Sequence, residues 1–156
     1  MVAAGSLAII LYTIHNIFYA ALSFPVGALA DKIGKRKLLA TGYLLTGIAA
    51  AGFIFDFGNL VYLGLFFILA GIAIAITDAL ERTLAADLLP ENLRGTGYGT
   101  LATVNGIGDF ASSTVVGTLW TTVSPLAGFG YSAVLTISGS ILLFALRVQR
   151  KTTGTS

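Results

Sequence analysis

An aspartate in the middle of a long apolar stretch is the first feature of this sequence that could do chemistry. Asp109 lies within the hydrophobic residues 95–118, and a carboxylate near the centre of a bilayer costs at least about 2.5 kcal/mol. Asn105 precedes it by one helical turn and could donate a hydrogen bond to it. We expect this pair to bind a polar solute or to exchange a proton. A structural hydrogen bond between helices is the alternative.

Two polar residues of the first apolar stretch are expected at a similar depth. His15 and Asn16 follow each other, with Tyr12 and Tyr19 about one helical turn to either side of the histidine. Because histidine titrates near neutral pH, His15 could pass a proton or hold a polar solute. A packing histidine whose ring nitrogens are hydrogen bonded is the alternative.

A second group of charged residues lies nearer to the expected membrane surface. Asp78 precedes Arg82 by four residues, so the two share one face of a helix and are expected to pair. We interpret the whole group as a structural charge network that water can reach. Its members are Asp78, Glu81, Arg82, Asp87 and Arg94.

Helices long enough to cross a bilayer must position these side chains. The chain of 156 residues is 56% hydrophobic and 10% charged, and its mean hydropathy of +0.89 is too high for a soluble domain. A hydrocarbon core of about 30 Å needs a helix of about 20 residues. Five stretches predict an all-α bundle of five transmembrane helices in one domain, residues 1–156: 6–30, 38–56, 60–83, 95–118 and 126–147.

The positive charges are unevenly distributed among the connections. The segments 31–37 and 84–94 and the tail 148–156 carry cations, whereas 57–59 and 119–125 carry none. Cytoplasmic segments of membrane proteins are enriched in Lys and Arg. The pattern predicts a multi-pass protein of the cell membrane, with its N-terminus outside and its C-terminal tail in the cytoplasm.

Small residues recur on one side of the third and fourth stretches. Membrane helices associate through such residues because they let two backbones approach closely. We therefore expect these sides to pack against other helices, and Asp78 and Asp109 to face protein or water rather than lipid. The recurring positions are Gly64, Gly71, Ala75, Asp78 and Arg82 in the third stretch, and Gly95, Gly99, Ala102, Gly106, Asp109, Ser113 and Gly117 in the fourth.

The segment that follows the first stretch combines an acid with a cluster of cations. It reads Gly27-Ala28-Leu29-Ala30-Asp31-Lys32-Ile33-Gly34-Lys35-Arg36-Lys37. Asp31 lies at the C-terminal end of a helix, where the macrodipole disfavours an acid, so it is expected to seek a cation or the N-terminus of another helix. The neighbouring cations are expected to be attracted to helix carbonyl ends and to anionic lipid headgroups.

This segment resembles the loop signature of the major facilitator superfamily, G-x-L-A-D-x-x-G-(R/K)-(R/K)-(R/K). The stretch from Glu81 through Pro90 to Gly99 is similar to the loop before the eleventh helix of that family. The resemblance covers all five predicted helices and implies helices eight to twelve, although a placement at helices two to six also fits the topology.

The resemblance also implies a function. Such proteins are secondary transporters that move small solutes by alternating access between two six-helix halves. It places the signature residues in the gate between the halves, with the acid reaching a helix N-terminus of the partner half. These residues are Gly27, Asp31, Gly34, Lys35 and Arg36.

The expected partners follow from this interpretation. They are membrane lipid, a small solute, and further transmembrane helices such as an N-terminal half outside this chain. The chain has an expected external N-terminus without a leader and an odd number of spans, so we expect it to be part of a larger protein. We expect that protein to be a transporter driven by a proton gradient. The alternative is a membrane module that does not transport.

Several other chemistries are not expected. The chain has no cysteine and one histidine, which argues against a metal site, and it contains no phosphate-binding loop. Neither a dinucleotide fingerprint nor a G-x-S-x-G motif is present, so we expect neither an enzyme nor a cofactor. The small positive charge is interpreted as an orientation signal rather than a nucleic-acid footprint.

Overall fold

A computed structural model describes residues 2–55 and 58–145 of the chain. Over those residues the backbone forms five long helices, with a short 3-10 helix at Glu91–Leu93 before the fourth. The predicted all-α fold is therefore confirmed. The helices are α1 (Val2–Ile33), α2 (Lys35–Ile54), α3 (Leu60–Leu88), α4 (Arg94–Thr122) and α5 (Pro125–Ala145). The tail at 148–156 lies outside the described residues.

The two basic connections contain more helix than the sequence analysis predicted. α1 continues to Ile33, which places Asp31 in its last turn, and Gly34 alone separates it from α2. Gly34 has a φ of 97°, a conformation that favours glycine. α3 likewise continues to Leu88, because the sequence offers no helix breaker before Pro90.

Four of the five helices are long and apolar enough to cross a membrane, namely α1, α2, α3 and α5. α4 has the length, since its 29 residues span about 43 Å at 1.5 Å per residue. It is richer in glycine, threonine and serine, and this lowers its hydropathy. Many of its hydroxyl groups donate to carbonyls of their own helix, as Thr103 does to Gly99 at 2.9 Å. That α4 also spans the bilayer stays a prediction.

Small residues allow the central helices to approach closely. α3 packs on both α1 and α2, and α2 packs on α3 and α5, whereas α4 packs on α5 and touches α3 more sparsely. Ser140 of α5 is buried and donates to the Ala40 carbonyl of α2 at 2.7 Å. The hydrophobic core comprises Val26, Ala30, Leu38, Leu39, Ile76 and Leu80.

The two small-residue faces behave differently. On α3, Gly71 is buried, and a Cβ added there would collide with the backbone carbonyl of His15 on α1. On α4, by contrast, Gly95, Gly99, Gly106 and Gly117 face open space. The expected packing is therefore confirmed for α3, whereas no described helix covers this face of α4.

Candidate functional site

An open cavity lies between α3 and α4. Its volume is about 600 Å³, and it combines three carboxylates, one guanidinium, one amide and one phenol with two apolar side chains. Because α4 contacts α3 only sparsely, the polar sides of the two helices are left facing this space. The lining residues are Asp78, Glu81, Arg82, Tyr98, Leu101, Ala102, Asn105 and Asp109.

Glu81 connects three helices at this cavity. The hydroxyl of Tyr43 on α2 donates to one carboxylate oxygen at 2.5 Å, and the amide of Asn105 on α4 donates to the other at 3.0 Å. Glu81 is thus held by two neutral donors rather than by a cation. Asn105, which the sequence analysis assigned to Asp109, binds Glu81 instead.

Asp78 does not form the expected ion pair with Arg82. The hydroxyl of Tyr19 on α1 donates to the Asp78 carboxylate at 2.9 Å, and no Arg82 nitrogen lies within 4 Å of a carboxylate oxygen among the described residues. A spacing of four residues allows an ion pair on one helix face but does not require it. Here the Tyr19 hydroxyl from α1 supplies the hydrogen bond to the carboxylate instead. The guanidinium of Arg82 faces the cavity instead.

Asp109 is exposed to the cavity near the middle of α4. It lies 15 residues from the helix start at Arg94, or about 22 Å along the axis. Its backbone carbonyl accepts from the Ser112 hydroxyl at 3.3 Å, and its carboxylate has no hydrogen-bond partner among the described residues. The carboxylate is therefore free to meet a solute or a proton.

His15 and Asn16 lie apart from this cavity. The ring Nδ1 of His15 is 3.2 Å from the Phe67 carbonyl of α3, and its ring stacks on Tyr12 with centroids 6.0 Å apart. The Asn16 amide donates to the Tyr12 carbonyl at 2.7 Å. Because α1 and α4 do not touch, the structure does not bring His15 and Asp109 together, and the contacts of His15 favour a packing role.

The cations of the signature segment hold other helix ends. Lys35 forms an ion pair with Asp87 near the end of α3 at 2.5 Å, and the Arg36 guanidinium donates to the Leu143 carbonyl near the end of α5. A cation at helix carbonyl ends is favourable, as the sequence analysis expected. The start of α2 is thereby tied to α3 and to α5.

The remaining signature and network residues are exposed. Asp31 forms no ion pair or hydrogen bond with any described side chain, and Gly27 has no atom within 4 Å of where a Cβ would lie. Arg94 lies 3.7 Å from Glu91 in a loose contact at the start of α4. No described residue supplies the expected contact of Asp31 with another helix N-terminus, and that contact stays a prediction.

Three phenols at this site were not predicted as site residues. Tyr19, which donates to Asp78, was named only as a neighbour of His15. Tyr43 was not singled out, and Tyr98 was quoted only as part of a motif, although both reach the carboxylates or their cavity. A signal existed, since a tyrosine hydroxyl on an apolar helix needs a hydrogen-bond partner. The sequence could not tell which acid would supply it. Over residues 2–55 and 58–145, no group of three or more His, Asp or Glu side chains is arranged to hold a metal ion.

Comparison with known proteins agrees with the resemblance seen in the sequence. The family model of the Major Facilitator Superfamily matches residues 3–156. A relative from Methanocaldococcus jannaschii, named as an uncharacterized MFS-type transporter, is 42% identical over 137 residues, which is 87% of this chain and 34% of the relative. The chain thus spans about a third of the length of that protein. No solved structure matches the chain.

Proposed function

Because this chain belongs to the major facilitator superfamily, we propose that it forms part of a secondary active transporter that moves a small solute by alternating access. Family membership and the apolar helices make it a multi-pass membrane protein. They point to a transporter rather than an enzyme.

The cavity between α3 and α4 is the observation that carries the proposal. Ionisable side chains are costly in a membrane interior, and those that persist there mark solute or proton pathways. Asp109 is the residue placed best for this role, since its carboxylate faces the cavity without a partner while Glu81 and Asp78 are held by phenols. We assign the first contact with solute or proton to Asp109.

Proton coupling follows from the charges that share this space. Three carboxylates and one guanidinium line the cavity, so acids outnumber cations there, and ionisable groups inside a membrane mark solute or proton pathways. A solute that enters and replaces a proton at Asp109 would couple its own movement to proton movement. Asn105, one turn from Asp109 on α4, is hydrogen bonded to Glu81 on α3, and Glu81 is hydrogen bonded to Tyr43 on α2. These bonds would transmit a change of charge at Asp109 to the two neighbouring helices.

The signature segment serves as the gate in this proposal. Lys35 and Arg36 fix the ends of α3 and α5 to α2, so these helix ends would move as one unit. Asp31 remains exposed beside them and can meet a helix N-terminus of another part of the transporter. With the cations on the cytoplasmic side, the N-terminus of the chain lies outside and the gate opens to the cytoplasm.

A membrane module without transport activity is the second candidate. The open small-residue face of α4 favours it, because this face allows close contact with further helices. The same face is also expected of a transporter that continues beyond this chain. The cavity carboxylates favour the transporter, because an unpartnered acid such as Asp109 is costly in a membrane helix and contributes nothing to helix packing.

The test uses vesicles that contain the transporter in its full-length gene context and a dye that reports internal pH. Under an imposed proton gradient, a panel of small sugars, amines, organic acids and amphipathic drugs is added one at a time. We expect at least one solute to move protons, and Asp109→Asn to abolish that movement while folded protein in the membrane stays near the level of the parent.

Glu91→Gln provides the matched control, because it removes an exposed acid outside the cavity. Proton movement should be unchanged in this variant. Equal losses of folded protein and of proton movement in Asp109→Asn would make Asp109 structural. Proton movement that survives in Asp109→Asn would contradict the assignment of coupling to this residue.

A further inference from the structure

A second, apolar groove lies between α1 and α3 and shares no lining residue with the cavity. Its volume is about 360 Å³, and its walls come from the last third of α1 and from α3. Val26 and Ile76 are buried and form its floor. The lining residues are Leu22, Pro25, Val26, Ala28, Leu29, Lys32, Ile72 and Ile76.

The length of the groove matches one leaflet of a bilayer. From Leu22 to Lys32 the helix advances ten residues, or about 15 Å at 1.5 Å per residue. The hydrocarbon core of a bilayer is about 30 Å thick, so one leaflet contributes about half of that. Lys32 lies in the last turn of α1, where the helix reaches the basic segment, which is the end expected at the membrane surface.

The only charged residue of the groove is a cation at its surface end. Lys32 is exposed and forms no ion pair or hydrogen bond with another described side chain, in contrast to Lys35, which is held by Asp87. Asp31 precedes Lys32 but is not part of the lining, since consecutive helical residues point about 100° apart. The groove is therefore apolar along its length and ends at one ammonium group that no described side chain neutralises.

From this arrangement we propose that the groove binds one anionic phospholipid. An acyl chain lies along α1 between Pro25 and Ile72, and the phosphate of the headgroup accepts hydrogen bonds from the Lys32 ammonium. Charge complementarity selects the anionic lipid, and the apolar walls hold the chain. The site is independent of the transport proposal, because it lies outside the cavity and uses none of its residues.

Native mass spectrometry of the 156-residue chain tests this proposal. The protein is purified in dodecyl maltoside and titrated with phosphatidylglycerol or with phosphatidylcholine of the same acyl chains. We expect one phosphatidylglycerol to bind in preference to phosphatidylcholine. In Lys32→Gln the affinity for phosphatidylglycerol should fall about fivefold, the effect of removing one cation near a membrane surface.

Lys37→Gln is the matched control, because Lys37 is an exposed cation of the same segment that does not line the groove. Its affinity for phosphatidylglycerol should change less than about twofold. Equal losses in both variants would show a general surface attraction and overturn the proposal. No loss in Lys32→Gln would overturn it as well.

A variant that fills the groove tests the acyl chain separately. Ala28 is exposed and lines the groove, so Ala28→Phe should occupy the space of the chain and remove the bound lipid. Binding that is unaffected by Ala28→Phe would contradict the proposed location. Dimers that form without lipid and disappear in Ala28→Phe would show that a second copy, rather than a lipid, covers the groove.

Discussion

Replacing Gly71 with alanine tests how closely α1 packs on α3. A Cβ at Gly71 would collide with the backbone carbonyl oxygen of His15, and a backbone atom cannot move aside by changing its rotamer. The two helices must therefore separate. Gly64 provides the control, because it lies seven residues earlier on the same face of α3, and its Cβ would meet only a Leu11 methyl carbon at 3.9 Å.

The expected magnitudes follow from two opposing effects. Alanine stabilises a helix over glycine by up to about 1 kcal/mol, and both variants gain this. Overpacking a tight interface costs about 1–3 kcal/mol, and only Gly71→Ala incurs it. We therefore expect Gly64→Ala to be neutral or more stable than the parent, with Gly71→Ala less stable than Gly64→Ala by about 1–3 kcal/mol.

Unfolding by sodium dodecyl sulfate in mixed micelles, followed by circular dichroism and Trp120 fluorescence, measures this difference. Trp120 is the single tryptophan of the chain. It packs edge-on against Phe129 with ring centroids 5.4 Å apart, so its emission reports the contact between α4 and α5. Equal stability of Gly71→Ala and Gly64→Ala would refute the close approach of α1 to α3 at this point.

Three further predictions concern the segment that joins α1 to α2. Gly34→Ala should destabilise the chain by about 1–2 kcal/mol in the same assay, because Gly34 has a φ of 97°, which alanine adopts only at a cost. Gly27→Ala is the control and should not destabilise the chain; equal effects of the two substitutions would contradict the positive φ at Gly34. A double-mutant cycle on Lys35 and Asp87 should give a coupling free energy of at most about 1 kcal/mol, because the two side chains are 27% and 51% exposed. A coupling free energy above about 3 kcal/mol would contradict this, since it is typical of a buried ion pair. In the full-length gene context, Asp31→Ala should slow the transport cycle with little change in the half-saturating solute concentration, and a large change in that concentration at an unaltered rate would contradict the gate.

The helices were predictable from the sequence because apolar length is a local property. Each of the five stretches became a helix, and the differences lie at the ends. α1 and α3 run past the predicted ends into charged residues, since charge alone does not stop a helix while Gly34 and Pro90 do. The glycine spacing of α3 likewise predicted that this face packs against another helix, and the structure shows that this helix is α1.

The site was less predictable because its contacts join residues far apart in the chain. The sequence separated Asp109 and Asn105 from the network of Asp78, Glu81 and Arg82, whereas the fold places all five around one cavity. It grouped His15 with Asp109 by depth, but depth does not specify which helices are neighbours. The phenol partner of Glu81 lies 38 positions earlier in the chain, and helical periodicity carries no information at that distance.

Cysteine accessibility tests the central claim, which is that α3 and α4 border an open, water-filled cavity within the membrane. The chain has no cysteine, so each introduced thiol is the only one. Ala102 lines the cavity, and Val104, 60% exposed, lies about 200° around the same turn of α4. In membrane vesicles treated on both sides with a charged methanethiosulfonate reagent, Ala102→Cys should react and Val104→Cys should not. Equal reactivity of the two thiols, or an unreactive Ala102→Cys, would contradict the cavity.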